Sequence, residues 1–260
     1  MIFLTAADIM VKTHEDVKEM ILNRIEALIK AYRAGELGGA MMPEDENPAL
    51  EPQSNVNYMY FTLPMALNHQ RNSYALWACA NRMFKDHPEL FNSSSVCVMD
   101  EKLVRDILVQ YKVALQPNKQ PIIWQTLCRT IENELSGDIR NLFRWNDNSV
   151  SRIKAYIADH KKSFPYLGGN KICNYWLYVM EQYTDVSYSD RENITVAPDT
   201  HVIQASLRLG VVSKQEASCS NIQQITAERW KELLKDTDLK PIDVHTPLWL
   251  WSHGKFRVNI

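Results

Sequence analysis

Apolar positions recur at three- and four-residue steps along most of this chain, and the period-two alternation of strands is nearly absent. Residues Thr13 to Arg33 show the pattern best. Val17, Met20, Ile21, Ile25, Leu28, Ile29 and Tyr32 fall on one helical face. Thr13 suits an N-cap, Glu15 and Asp16 lie in the first turn, and Gly35 ends the segment. Gly35 to Asn55 is rich in glycine, proline and acids with little periodicity, so it reads as a loop or mobile linker. From Tyr58 the spacing predicts consecutive helices over 58–69, 72–85, 100–113, 120–135, 138–144, 149–161, 170–183, 200–209, 213–217, 226–235 and 242–253. Short separators such as Ser136-Gly137-Asp138 and Gly168-Gly169 carry turn residues. Only Ser95 to Met99 hints at a strand. The pattern predicts an all-α fold without an internal repeat.

Composition narrows this picture. A chain of 260 residues buries a sizeable core, as one large domain or two lobes. No apolar run approaches the roughly 20 residues of a membrane span, and the apolar start, Met1 to Met10, lacks the basic flank and cleavage site of a secretory signal. No membrane partner is expected, and the sequons at Asn92 and Asn193 are read as chance. The five cysteines (Cys79, Cys97, Cys128, Cys173, Cys219) are scattered with no CxxC pair, which fits reduced intracellular thiols and speaks against zinc or iron–sulfur ligation. The histidines show no metal-ligand spacing, so no metal is expected. The tryptophans at 77, 124, 176, 249 and 251 sit in apolar helical contexts and are expected in the core. Net charge is −2, yet Arg152, Lys154, Lys161, Lys162 and Lys171 face a single acid, Asp159, between Ser151 and Lys171. Phosphate contact needs such a basic face, and a solvated helix face looks the same.

Two motifs carry candidate chemistry. Leu167-Gly168-Gly169-Asn170-Lys171 is a Gly-Gly turn opening an apolar helix. Glycines permit positive φ and close approach of backbone N–H groups to another molecule, and a helix start adds unpaired donors suited to phosphate. Lys171 stands at the mouth. An amine nucleophile must be neutral, as only about one lysine in 2,500 is at pH 7 when its pKa is near 10.4. A helix start and an apolar flank (Leu167, Ile172) both disfavour an ammonium there. Pro198-Asp199-Thr200-His201-Val202 then places Asp199 before a second apolar helix ended by Gly210. Asp199 suits an N-cap, and a carboxylate so held can also stabilise developing positive charge or accept a proton.

These stretches resemble the helix-hairpin-helix (HhH-GPD) DNA glycosylases of the endonuclease III type. Gly169-Asn170-Lys171-Ile172-Cys173-Asn174 falls on the family's G-x-K-T-A-N, and Pro198-Asp199-Thr200-His201-Val202…Arg208-Leu209-Gly210 on its V-D-T-H-V…R-L-G. Leu67-Asn68-His69-Gln70 is similar to an L-S-x-Q segment near the DNA wedge, and Leu248 to Gly254 to the closing L-x-x-H-G helix. The long Lys171–Asp199 spacing, with a polar insert at Glu181 to Thr195, and the missing cluster cysteines make the chain most similar to the archaeal-type 8-oxoguanine glycosylases. The usual P-G-V-G is replaced by Tyr166-Leu167-Gly168-Gly169, and a one-residue shift would put Asn170 at the lysine position.

The resemblance implies a two-lobed helical fold over 55–260 with the active site between the lobes, preceded by a helix and acidic loop at 1–54. It implies a monomer in the cytoplasm, or in the nucleus of a eukaryote, acting on double-stranded DNA that contains a damaged base, without a cofactor or iron–sulfur cluster. Lys171 would be the Schiff-base nucleophile and Asp199 the catalytic carboxylate. Tyr175, Trp249, Asp243, His245 and Gln70 would bind the extruded base. Leu167, Gly168, Gly169, Asn170 and Lys162 would hold DNA. The activity would be base excision with abasic-site lyase, on 8-oxoguanine first, with oxidised pyrimidine or alkylated purine as alternatives. A non-catalytic DNA-binding hairpin and an all-α protein-interaction domain are the readings from other classes.

Overall fold

The computed structural model describes residues 14–38 and 42–260. Thr13 and the apolar start of the chain lie outside the described residues. Twelve α-helices and no strand are found among the described residues. They are α1 (His14–Arg33), α2 (Asn55–Ala66), α3 (Ser73–Asp86), α4 (Ser93–Val98), α5 (Glu101–Gln110), α6 (Gln120–Glu134), α7 (Arg140–Arg144), α8 (Val150–Asp159), α9 (Asn170–Tyr183), α10 (Thr200–Leu209), α11 (Ile222–Leu234) and α12 (His245–His253). The all-α expectation holds. The strand hint at Ser95 to Met99 does not, because Asn92 caps α4 by accepting the Ser95 N–H at 2.9 Å. The helix expected at 213–217 is a 3-10 turn, Glu216–Ser218, and the one expected from 242 begins as another, Pro241–Val244, before α12. Contacts divide the chain into two units, residues 42–197 and residues 14–38 with 198–260.

In the unit of residues 42–197, α2 is buried from Asn57 to Ala66, which explains why it carries no polar face. It packs against α9. A fully buried indole must find an acceptor for its N–H, and Trp176 of α9 donates to Thr62 Oγ1 of α2 at 3.1 Å. Thr62 passes its own proton to the Tyr58 carbonyl one turn back, at 2.7 Å. On the other side of α2, Tyr60 stacks on Phe91 at 5.3 Å between ring centroids, and Phe91 meets Trp124 edge-on. Trp77, Trp124, Trp176 and Trp251 are core residues, as expected, whereas Trp249, also expected there, is only half-buried.

The polar insert after α9 is tied down. Val186, Tyr188, Ile194 and Val196 are buried, and Arg191 pairs with Glu181 at 2.6 Å. Asp190 accepts the Val150 N–H at 2.5 Å, the Ser151 N–H at 3.1 Å and the Ser149 hydroxyl at 3.1 Å, so it caps α8 from a distant part of the chain. The acidic stretch is also more ordered than a linker over its described part. Pro43–Asp45 forms a 3-10 turn packed on α3, and Asp45 accepts the Tyr183 hydroxyl at 2.6 Å.

In the other unit, α10 packs against α12 and α1 packs on both. The indole rule recurs. Trp230 of α11 donates to Ser206 Oγ of α10 at 2.8 Å, and Ser206 donates to the Val202 carbonyl at 2.7 Å. Gly210 ends α10 at φ +86°, a left-handed cap. The Arg24 guanidinium of α1 reaches the last carbonyls of α10 at Arg208 and Leu209.

Two stability experiments follow from these contacts. Thr62→Val keeps the side-chain shape but leaves the Trp176 N–H buried without an acceptor, and is expected to lower unfolding free energy in urea by roughly 1–3 kcal/mol. For Asp190, partial burial raises the pKa, but the hydrogen bonds from Ser151, Val150 and Ser149 outweigh it and hold the carboxyl below its ordinary value. Its stabilisation is therefore present above the unfolded carboxyl's pKa, about 3.9, and is lost as pH falls through the lower folded one. Asp190→Asn is expected to cost about 1 kcal/mol at pH 7 and to flatten the acid limb of a urea-midpoint titration.

Candidate active site

The Gly-Gly turn differs from its expected geometry. Neither Gly168 nor Gly169 has positive φ; the left-handed residue is Tyr166, at φ +67°. Gly168 sits close to α8 instead: a Cβ there would lie 3.3 Å from Ile157 Cγ2, a tight contact that the isoleucine side chain would have to ease. Gly169 is the N-cap of α9 in extended conformation and supplies no side-chain acceptor to the first turn. The Leu167 side chain is fully buried, so that position can offer only backbone to a ligand. Lys171 projects from the first turn of α9 and is exposed, uncovered by the expected apolar flank.

Gln70 joins this region. Its φ is +49°, and it lines a cavity of about 80 Å³ with Leu67, His69, Lys119, Gln120 and Tyr166. The Lys119 ammonium lies 5.0 Å from the Tyr166 ring centroid, a cation–π contact that braces the left-handed residue. Two non-glycine residues with left-handed backbone, Gln70 and Tyr166, line this one small cavity, each at a cost on the order of 1 kcal/mol of strain. The neighbouring corner is structural. Arg71 donates to the Val113 and Lys112 carbonyls, and Asn72 caps α3.

The basic face is smaller than the sequence suggested. Arg152 is paired with Asp147. Lys154 turns inward and donates to Asn174 Oδ1 and the Asn193 carbonyl, both at 2.6 Å. Lys161, Lys162 and Lys171 remain exposed.

Tyr175 stands one helical turn after Lys171, on the same side of α9. Its ring is half-buried, and its hydroxyl donates to Glu44 Oε2 at 3.0 Å. Glu44 is 1% exposed. Burial pushes its carboxyl up to about 7, against smaller lowering contributions from its own backbone N–H, Tyr175 and Trp77. Sequence reading missed Glu44, which is one acid among Glu44, Asp45 and Glu46 with nothing to distinguish it.

The other unit holds the remaining residues. Asp199 caps α10, with Oδ1 accepting the His201 N–H at 2.9 Å and the Val202 N–H at 3.0 Å. Its Oδ2 stands outside the cap. Half-buried Trp249 stacks on His253 at 4.6 Å and 12°, and His201 meets Trp249 edge-on at 5.3 Å. His201 Nδ1 lies 3.2 Å from Ser252 Oγ, and that hydroxyl donates onward to Gln204. The structure thus gathers the rings of His201, Trp249 and His253 between α10 and α12, with Asp199 at the α10 start. The i, i+4 spacing of Trp249 and His253 was the available signal for the second histidine. Asp243 accepts the Lys240 N–H at 2.7 Å and shapes the 3-10 turn before α12, while His245 is buried at the helix start.

No protein-family model matches the chain, and no curated protein matches it in sequence. Among the described residues no group of three or more His, Cys, Asp or Glu side chains converges as metal ligands, and no helix is long and apolar enough to cross a membrane.

Glu44 makes its own prediction. Its folded pKa is about 7 against an ordinary 4.5. The acid therefore costs the fold nothing below the ordinary value, a rising amount between the two, and a constant amount above the folded one. At about 1.4 kcal/mol per unit the plateau is roughly 3 kcal/mol. Glu44→Gln is expected to be more stable than wild type at pH 8, with the difference gone by about pH 4, as read by thermal melts across that range.

Proposed function

We propose that this protein is a DNA glycosylase with abasic-site lyase activity, excising an oxidised purine, 8-oxoguanine first. The observation that carries this reading is the first turn of α9, where an exposed Lys171 follows a helix start with no side-chain cap and a partly exposed tyrosine lies one turn further on. An uncapped helix start leaves N–H donors for a phosphate oxygen. The exposed Lys161 and Lys162 add sequence-independent attraction to the backbone. An enzyme acting on a base takes it out of the stack, and aromatic faces such as Tyr175 hold a flipped base well.

In the reaction, neutral Lys171 Nζ forms a bond to the sugar C1′ as the C1′–N bond breaks, and the departing base takes up a proton. The C1′–O4′ bond then breaks, O4′ takes up a proton released by the bound amine, and the protonated Schiff base left at C1′ acidifies the neighbouring C2′ proton. Loss of that proton expels the 3′ phosphate by β-elimination. Asp199 is assigned the carboxylate role by its sequence match to the family's aspartate, and its capped Oδ1 supports that role by fixing the side chain while Oδ2 stands outside the cap. No cofactor enters these steps.

Borohydride trapping on a duplex bearing one 8-oxoguanine, beside an abasic-site duplex, tests the reading. Wild type is expected to give a covalent band on both, Lys171→Gln on neither, and Asp199→Asn to trap at least about 100-fold more slowly. Salt-dependent DNA binding with no band on either duplex would overturn the enzyme and leave a binding hairpin.

A further inference from the structure

At the C-terminal end of α10 an arginine is held in place without using its hydrogen bonds. The Arg208 guanidinium lies 4.7 Å from the Phe256 ring centroid and 5.9 Å from that of Trp251. Such contacts use the face of a guanidinium and leave the N–H donors along its edge open. Among the described residues no carboxylate pairs with Arg208, and its side-chain N–H groups have no protein acceptor. Phe256 reaches this position by a return of the chain after α12. Lys255 and Phe256 both have left-handed backbone, at φ +56° and +55°, and their N–H groups donate to the Ser252 and Trp251 carbonyls at 2.9 Å. Two successive non-glycine residues in that region carry a conformational cost. The turn sets Phe256 edge-on against Trp251, at 4.8 Å and 87°, where it meets the guanidinium. Arg208 opens on a groove of about 540 Å³. Buried Val212 and half-buried Leu207 and Phe256 form its apolar part, and exposed Gln204, Ser213 and Lys214 its polar part. No acid lines it. Gln204 Oε1 accepts the Ser252 hydroxyl at 3.1 Å, which leaves the amide N–H groups as further donors. Glu216 is close in the chain but engaged, accepting the Ser213 N–H at 2.8 Å and the Arg229 guanidinium at 2.7 Å. Lys255 and Arg257, on either side of Phe256, are exposed as well.

A guanidinium fixed by its face, a second cation in the same groove and no carboxylate in the lining fit an anion with several oxygens. We infer that Arg208, seated on Phe256 and Trp251 and joined by Lys214 and the Gln204 amide, binds the phosphodiester backbone of duplex DNA. This deepens the glycosylase reading above and rests on it. Helix α10 has 10 residues and opens after Asp199. At 1.5 Å per residue it is about 15 Å long, the length of about four nucleotides of one strand at 3.4 Å each. A strand whose damaged sugar lies at Asp199 is thus gripped a few nucleotides away, at a position the lesion does not reach. The contact is to phosphate, so it is blind to base identity and adds affinity for damaged and undamaged duplex alike. A free phosphate group offers the same oxygens, so the two sources must be compared directly.

The experiment measures equilibrium binding across a salt series in a Lys171→Gln background, on one duplex with guanine and the same duplex with 8-oxoguanine at a single position. Arg208→Gln is expected to weaken binding to both duplexes by a similar factor, about fivefold, and to lower the slope of log affinity against log salt by about 1. Phe256→Leu keeps every charge but removes the seat, and is expected to cost about threefold with most of the slope retained. Lys231→Gln removes an exposed charge from α11 of the same unit and is expected to leave the slope alone. The inference is overturned if Arg208→Gln lowers the slope by less than about 0.5, or if Lys231→Gln lowers it equally, since only general charge would then be at work. It is also overturned if the loss is confined to the 8-oxoguanine duplex, because Arg208 would then act at the lesion. Inorganic phosphate, titrated calorimetrically at fixed ionic strength, separates the sources: binding tighter than millimolar with an unchanged DNA slope assigns the groove to a free phosphate group and sinks the inference. Should Arg208→Gln not fold by thermal melt, Lys214→Gln decides by the same slope criterion. Covalent trapping of an abasic-site duplex by the otherwise wild-type chain distinguishes the two levels. If it succeeds while Arg208→Gln keeps the parent slope, this inference alone fails; if the chain neither traps nor binds duplex DNA, the glycosylase reading falls and takes the inference with it.

Discussion

A buried tryptophan brings a large apolar ring and one N–H that must be met inside the protein. This chain answers that demand twice in the same way. Trp176 and Trp230 each donate to a hydroxyl on a neighbouring helix, and each hydroxyl donates to the carbonyl one turn back on its own helix. The ring can therefore be buried only when the two helices stand at one axial setting. Apolar packing alone would tolerate sliding; a hydroxyl of fixed position does not. Helices α9 and α10, which carry Lys171 and open after Asp199, are the ones set this way.

With α9 fixed on α2, its tyrosines reach the acidic turn that precedes α2. Tyr175 takes Glu44 and Tyr183 takes Asp45. The turn is thereby clipped to the helix that bears the candidate nucleophile. The clip is asymmetric in cost. Tyr183 meets an exposed carboxyl, whereas Tyr175 meets one held away from water, whose burial raises its pKa. A fold that needed only an anchor would use the cheaper arrangement at both positions, and the buried acid is where stability has been given up.

Much of this was legible in the residue pattern. Helices with a polar face and a side-chain cap, such as α3 with Asn72 or α10 with Asp199 and Gly210, announce both ends. The short α4 was obscured by its valines, which fit a strand as well as a helix of six residues; only the Asn92 cap argued otherwise. Gly168 and Gly169 marked the turn before α9 but not its conformation. The close approach of Gly168 to Ile157 and the positive φ at Tyr166 are tertiary facts, set by packing that no local pattern encodes. The basic face was overcounted for a similar reason. A lysine at a helical surface position reads as solvated, and nothing near Lys154 in the sequence reveals that Asn174 and the Asn193 carbonyl await it. Glu44 was invisible because burial, which distinguishes it from Asp45, is a property of the folded surroundings.

The Asp190 cap sets an order on the making of this protein. Val150 and its acceptor are 40 residues apart. As the chain leaves the ribosome, α8 and all of α9 emerge before the carboxylate that closes the α8 start. The nascent chain thus passes through a stage that contains Lys171 but whose preceding helix starts with only the Ser149 hydroxyl on the Arg152 N–H, the Val150 and Ser151 N–H groups being left to water. Closure comes only when the insert folds back, so the stretch that looks most dispensable in the sequence completes that unit's assembly.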